Sequence, residues 1–147
     1  MNLINGVALI TTGTASLCDY RTPGAVISTE PCGVWRITVL QEKPNDFTLS
    51  RNDTRSLTRR VVMGPIRSVV LANLGSMTPE QVWSFNGTRN INPSQLPVYT
   101  GALRAGEAGL ALTTRESVYL ETEKYRAVVA ADDVPPRMWT VRYMPEW

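Results

Sequence analysis

Histidine is absent from the 147 residues. That removes at once the commonest general base, the commonest zinc ligand and every Ser-His-Asp or Cys-His arrangement. Cysteine is nearly absent. Cys18 and Cys32 are the only two, and 13 residues lie between them. This spacing excludes CxxC redox or zinc-ribbon pairs, and two thiolates without histidine do not complete a tetrahedral zinc site. No metal and no cofactor are expected. Lysine is scarce as well: of 15 basic residues only Lys43 and Lys124 are lysines, leaving 13 arginines. Arginine is the residue of planar, bidentate recognition of carboxylate and phosphate, although a GC-rich genome yields the same bias. No run of 18 apolar residues occurs, and the start "MNLINGVALITTGTASLC" lacks a positive region followed by a continuous apolar centre. Nothing in the chain is therefore expected to span a membrane or direct the chain to one.

Catalytic motifs are missing too. The chain has no glycine-rich phosphate loop, no GxSxG and no HExxH, and the glycines of "GALRAGEAG" have the wrong spacing for a dinucleotide site. Glu121 and Glu123 are a carboxylate pair, read here as solvated charge on a hairpin. The expectation is a protein that is not an enzyme.

What is present is alternation. With 43% hydrophobic residues, the chain can bury a core as a single domain over 1–147. "GVWRITVLQ" sets Trp35, Ile37 and Val39 against Arg36 and Thr38, "DFTLS" repeats the pattern with Phe47 and Leu49, and "RMWTVRYM" sets Trp139, Val141 and Tyr143 against Thr140 and Arg142. Period two marks half-buried strands. Between the apolar segments stand "KPND", "SRND", "NPS" and "DDVPP", whose residues supply turn dihedrals. The spacing predicts an all-β, mostly antiparallel sandwich or barrel. One short helix is expected near 78–85, from the capping residues Ser76 or Thr78, Pro79 at the first helical position and Glu80 in the first turn. The segment 117–131 reads as helix or hairpin, with the hairpin, turning at Glu121 to Lys124, favoured. No internal repeat is expected. Trp35, Trp83 and Trp139 read as core residues.

The strongest binding candidate is basic. Arg51, Arg55, Arg59, Arg60 and Arg67 face a single acid in that span, Asp53, a local charge of five minus one, or plus four, in a chain of net charge +2. Arg51, Arg55 and Arg59 share parity and would line one face if the strand ran unbroken, although "RND" reads as a turn within it. Such a stripe can meet nucleic acid, RNA included, or an acidic neighbour; the plain alternative is a charged sheet edge that resists aggregation. Downstream, Glu107, Glu116, Glu121, Glu123, Asp132 and Asp133 against Arg115, Lys124 and Arg126 give six minus three, a net of minus three. On different faces the two segments would favour head-to-tail association; side by side they would neutralise each other within one chain.

The remaining candidates are local. Pro23 and Gly24 suit a turn that folds Cys18 back on Cys32, so a disulfide worth about 3 kcal/mol is favoured over two buried thiols in a reducing compartment. Trp147 reads as docked on its own domain or offered to a partner. Asn52-Asp53-Thr54 and Asn86-Gly87-Thr88 match the glycosylation acceptor pattern and carry no weight without secretion. The leading expectation is a self-associating structural protein of the virion-shell, virion-decoration or surface-appendage kind, a homo-oligomer located in a virion or outside the cell rather than in the cytoplasm. The alternative is a secreted, carbohydrate-binding-like module closed by one disulfide.

Overall fold

The computed structural model describes residues 3–19, 25–28, 33–51, 55–59, 66–73, 79–90, 96–105, 110–114, 125–131 and 137–145. Twelve strands follow one another: β1 Gly6–Thr12, β2 Ala15–Asp19, β3 Ala25–Ser28, β4 Trp35–Val39, β5 Asp46–Ser50, β6 Arg55–Arg59, β7 Ile66–Asn73, β8 Trp83–Asn90, β9 Val98–Ala105, β10 Ala111–Thr114, β11 Tyr125–Ala131 and β12 Trp139–Met144. All pairings are antiparallel. The all-β, barrel-like expectation is what the chain adopts.

Six strands close on themselves. β1 pairs with β4, β4 with β5, β5 with β8, β8 with β9, β9 with β12, and β12 back with β1. Closure leaves this ring no free edge. The other six form the hairpins β2–β3, β6–β7 and β10–β11. These meet one another through β11, which pairs with both β3 and β7. Ring and hairpins therefore repeat three times along the chain as strand, hairpin, strand, the topology of a β-trefoil.

That repetition corrects the expectation that the chain has no internal repeat. Trp35, Trp83 and Trp139 each open the last strand of a repeat, and each is fully buried. A buried indole must find an acceptor for its N–H. Trp35 Nε1 donates to the Leu17 carbonyl at 3.0 Å, Trp83 Nε1 to Leu57 at 2.9 Å and Trp139 Nε1 to Leu112 at 3.0 Å. All three leucines lie on the first strand of a hairpin, and all are buried. Each tryptophan thus ties a barrel strand to the hairpin of its own repeat. The tetrads Val34-Trp35-Arg36-Ile37, Val82-Trp83-Ser84-Phe85 and Met138-Trp139-Thr140-Val141 are the sequence trace of the repeat.

The expected helix near 78–85 is corrected as well. Only Pro79–Gln81 make a single 3-10 turn, closed by Val82 N–H donating to Pro79 O at 3.2 Å. From Trp83 onward the chain is β8, with Trp83 opposite Phe47 on β5 and Ala105 on β9. The capping residues start a turn, but pairing on both sides and burial of Trp83 and Phe85 outweigh helix propagation, which needs a longer run to repay its nucleus. Over 117–131, Tyr125–Ala131 is a strand in an antiparallel hairpin whose other arm is β10. The proposed first arm at Val118–Leu120 lies outside the described residues.

Two glycines mark a close approach. Gly87 on β8 and Gly101 on β9 face each other, and Gly101 also faces Trp139 on β12. A Cβ on Gly87 would overlap Thr100 O and the Gly101 Cα; one on Gly101 would overlap Asn86 O and the Gly87 Cα. Only glycine at both positions lets these backbones touch beside the indole.

Candidate functional site: the arginine hairpin and its surroundings

Arg51, Arg55 and Arg59 do not lie along one unbroken strand. The chain leaves β5 at Ser50 and re-enters as β6 at Arg55, with Arg51 N–H donating to Arg55 O at 2.8 Å across the bend. The bend thus sets Arg51 opposite Arg55 rather than further along the same strand. The Arg51 guanidinium folds over the outer edge of the core, 4.9 Å from the centroid of the Trp35 ring, and its Nη1 donates to Val34 O at 3.0 Å. A cation over an indole face is attracted by the ring quadrupole. Arg51 is partly buried and acts as a strut between β5 and β4.

Arg55 and Arg59 stand at opposite ends of β6, with Arg55 facing Asn73 and Arg59 facing Val69 on β7. Four steps of extended chain separate them, about 13 Å. Arg67 sits near the start of β7, so the backbone gathers Arg59 and Arg67 toward the tip of the β6–β7 hairpin. Arg60 lies outside the described residues. Sequence reasoning found the basic segment but not this division into an anchored Arg51 and a hairpin-tip group.

The acidic stretch is a neighbour of that hairpin. β11 falls between Glu107 and Asp133 and pairs with β7, Val129 facing Ser68, Ala130 facing Arg67 and Ala131 facing Ile66. The backbone of the acidic segment is therefore hydrogen-bonded to the arginine hairpin of the same chain. The six acids themselves lie outside the described residues, as do Cys32 and Trp147. Cys18 is buried on β2, directly after Leu17.

The opposite end of the barrel, where β1 begins and β12 ends, was not anticipated. The Tyr143 hydroxyl donates to Ile4 O and accepts from Ile4 N–H at 3.0 Å, a two-way clasp between positions 139 residues apart. Burial holds this phenol well above the ordinary tyrosine range, with the nearby Tyr99 adding to the effect and the Ile4 hydrogen bond opposing it. Tyr99 packs edge-on against both Tyr143, at 5.8 Å, and Phe85, at 6.1 Å, and Arg89 lies 5.7 Å above the Tyr99 ring. The parity of Tyr143 with Trp139 and Val141 signalled its inward side chain; nothing local signalled its partner.

Among the described residues no three His, Cys, Asp or Glu side chains gather as metal ligands, and no helix is long and apolar enough to cross a membrane.

No family model and no curated protein matches the chain. Solved structures do resemble it. A Caenorhabditis elegans protein of unknown function superimposes with a TM-score of 0.69 at 12% identity, covering 97% of each chain. The SDF2-like protein of Arabidopsis thaliana does so at 0.67 and 12% identity, over 99% of this chain and 98% of the other. In the Saccharomyces cerevisiae protein O-mannosyltransferase Pmt1-Pmt2 complex bound to the sugar donor, the match has a TM-score of 0.68 and 14% identity, covering 99% of this chain but 27% of that one. At these identities the likeness is one of fold. The last match also shows that a domain of this shape occurs inside a much longer chain.

Proposed function

We propose that the protein is a non-catalytic, secreted ligand-binding module of the carbohydrate-binding kind. The observation that carries this reading is the threefold frame: three tryptophan-tied repeats present one hairpin each around one barrel. A ligand with repeating units, such as an oligosaccharide, suits a scaffold that offers the same geometry more than once, because linked weak contacts multiply. The absence of histidine supports the non-catalytic part. The occurrence of a similar fold in a complex bound to a sugar donor supports the choice of saccharide as the first ligand class to test.

The self-assembling shell finds no support in these neighbours. Its motive, segregated basic and acidic segments, is weakened because β11 runs beside β7 within one chain. Mass in solution and a glycan array decide between the two readings. A monomer that binds defined saccharides saturably, at up to three sites per chain, is the expected result. Large symmetric particles with no saccharide binding would overturn it.

A second reading rests on the gathering of Arg59 and Arg67 at one hairpin end: contact with a polyanion there, in the first instance nucleic acid. Binding of that kind falls steeply with salt as counterions are released. Changing Arg55, Arg59 and Arg60 together to Gln should abolish it while leaving the fold intact. Unchanged binding at both low and high salt would return the hairpin to a charged sheet edge.

A further inference from the structure

We infer that Asn86 is an acceptor for an N-linked oligosaccharide, a proposal that rests on the reading of the chain as a secreted module. Asn86-Gly87-Thr88 lies wholly within β8. Along a strand, side chains two apart share a face, so the Asn86 amide and the Thr88 hydroxyl stand side by side, as the acceptor pattern requires. Both residues are exposed, whereas Trp83 and Phe85 on the same strand are buried. Among the described residues neither polar side chain has a hydrogen-bond partner that would have to be given up first. The middle residue is glycine because of its contact with Gly101. Asn86 faces Ala102 on β9, a side chain of one carbon, and Met138, 59% exposed, immediately precedes the Trp139 that faces the adjoining Gly101. A sugar on Asn86 would thus have open space over Ala102 and an uncovered apolar side chain within reach.

The chemistry needs one co-reactant, an oligosaccharide carried on a lipid pyrophosphate. The Asn86 Nδ2 forms a bond to the anomeric carbon. The bond from that carbon to the pyrophosphate oxygen breaks, the lipid pyrophosphate leaves with its electron pair, and the amide proton passes to base. The second acceptor pattern, Asn52-Asp53-Thr54, lies outside the described residues and has no part in the proposal.

The test is to express the full chain behind a cleavable secretory leader in eukaryotic cells and to map occupancy by peptide N-glycosidase treatment in heavy-oxygen water, which marks each formerly glycosylated asparagine. Asn86 should be labelled in the secreted wild type and in Thr88→Ser, and unlabelled in Thr88→Ala; Asn86→Gln should lose one glycan from its total mass. Asn52→Gln, run in parallel, isolates the Asn86 signal. A secreted, folded wild-type chain with Asn86 unlabelled overturns the proposal, and so does labelling that persists in Thr88→Ala. Saccharide binding by the same secreted protein is measured separately. Binding without a glycan on Asn86 defeats this proposal alone, and a glycan on Asn86 without binding defeats the functional reading alone.

Discussion

The barrel and the three hairpins are built from the same kind of strand but are held in different ways. Each barrel strand has a partner on both sides, and on β9 buried positions alternate with half-buried ones along all eight residues. The hairpins have no ring of their own. They are tied to one another by β11 and to the barrel by short ladders, β2 on β1, β6 on β5 and β10 on β9, together with the three indole-to-leucine hydrogen bonds. Stability in the barrel is thus spread over a closed ladder, while at the junction between the two regions three buried indoles supplement ladders only one or two residue pairs long. If that distinction is right, substitutions at the junction should cost more than substitutions in either region alone.

The largest effect is expected at the tryptophans. Trp35→Ala, Trp83→Ala and Trp139→Ala should each cost about 3 to 5 kcal/mol in denaturant unfolding, from lost burial and an orphaned leucine carbonyl together. Near-equal losses would show that the three repeats carry equal load, and an unchanged midpoint at any one would break the comparison there.

Next comes the one place where a covalent link would reinforce the junction. Cys18 follows Leu17 and Cys32 precedes Trp35 by three, so each cysteine is close in sequence to one end of the Trp35-to-Leu17 hydrogen bond. The corresponding positions after Leu57 and Leu112 are Thr58 and Thr113, so repeats two and three have no such link. A Cys18–Cys32 disulfide is expected to add about 3 kcal/mol, lost on reduction. Two free thiols in the unreduced, denatured chain would refute it.

Inside the barrel, Gly101→Ala should cost about 1 to 3 kcal/mol by forcing β8 and β9 apart beside Trp139. A neutral result would mean that the ladder yields there more readily than its geometry implies.

Smaller again is the Tyr143 clasp. Because burial keeps this hydroxyl protonated, its contribution is complete below the pH at which an unfolded tyrosine ionises, about 10, and is lost as pH rises beyond it. Stability should fall on the alkaline side of pH 10, and Tyr143→Phe, already lacking the two hydrogen bonds, should flatten that fall. An identical alkaline slope in the variant would remove Tyr143 as its source.

The smallest effect is expected at Arg51. Arg51→Gln should cost roughly 0.5 to 1 kcal/mol through the contact with the Trp35 face. If it instead abolished ligand binding with stability intact, Arg51 would belong to the binding surface rather than to the strut.

The same contrast explains what was legible in the sequence. β4 and β12 could be read directly because one face of each is core, and β5 because its apolar residues alternate although Thr48 and Ser50 are buried as well, so Trp35, Ile37, Phe47, Leu49, Trp139 and Val141 stand out by period two. The threefold repeat was hidden because its constant parts are a leucine and a tryptophan, 18, 26 and 27 positions apart, with connections of differing length between them. The expected helix near 78–85 ran into the start of β8 because Pro79 and its neighbours carry a local helix-start pattern, whereas the strand partners of Trp83, Phe47 and Ala105, are remote in sequence. The arginines were visible as charge, but parity cannot foresee a bend that folds Arg51 onto an indole.

The pairing of β1 with β12 has a consequence for how the chain comes to be folded. The first strand of the ring waits for the last to be paired on both sides, since Ala8 can meet Trp35 early but finds its second partner only when Tyr143 has been made. Synthesis delivers complete hairpins early and a closable barrel late, so the most local contacts form first and the ring is sealed by its most distant one. High contact order of this kind slows folding. Until closure, β1 offers an unpaired edge and the growing core stays open, making this interval the one in which the chain is most prone to wrong pairing with its neighbours.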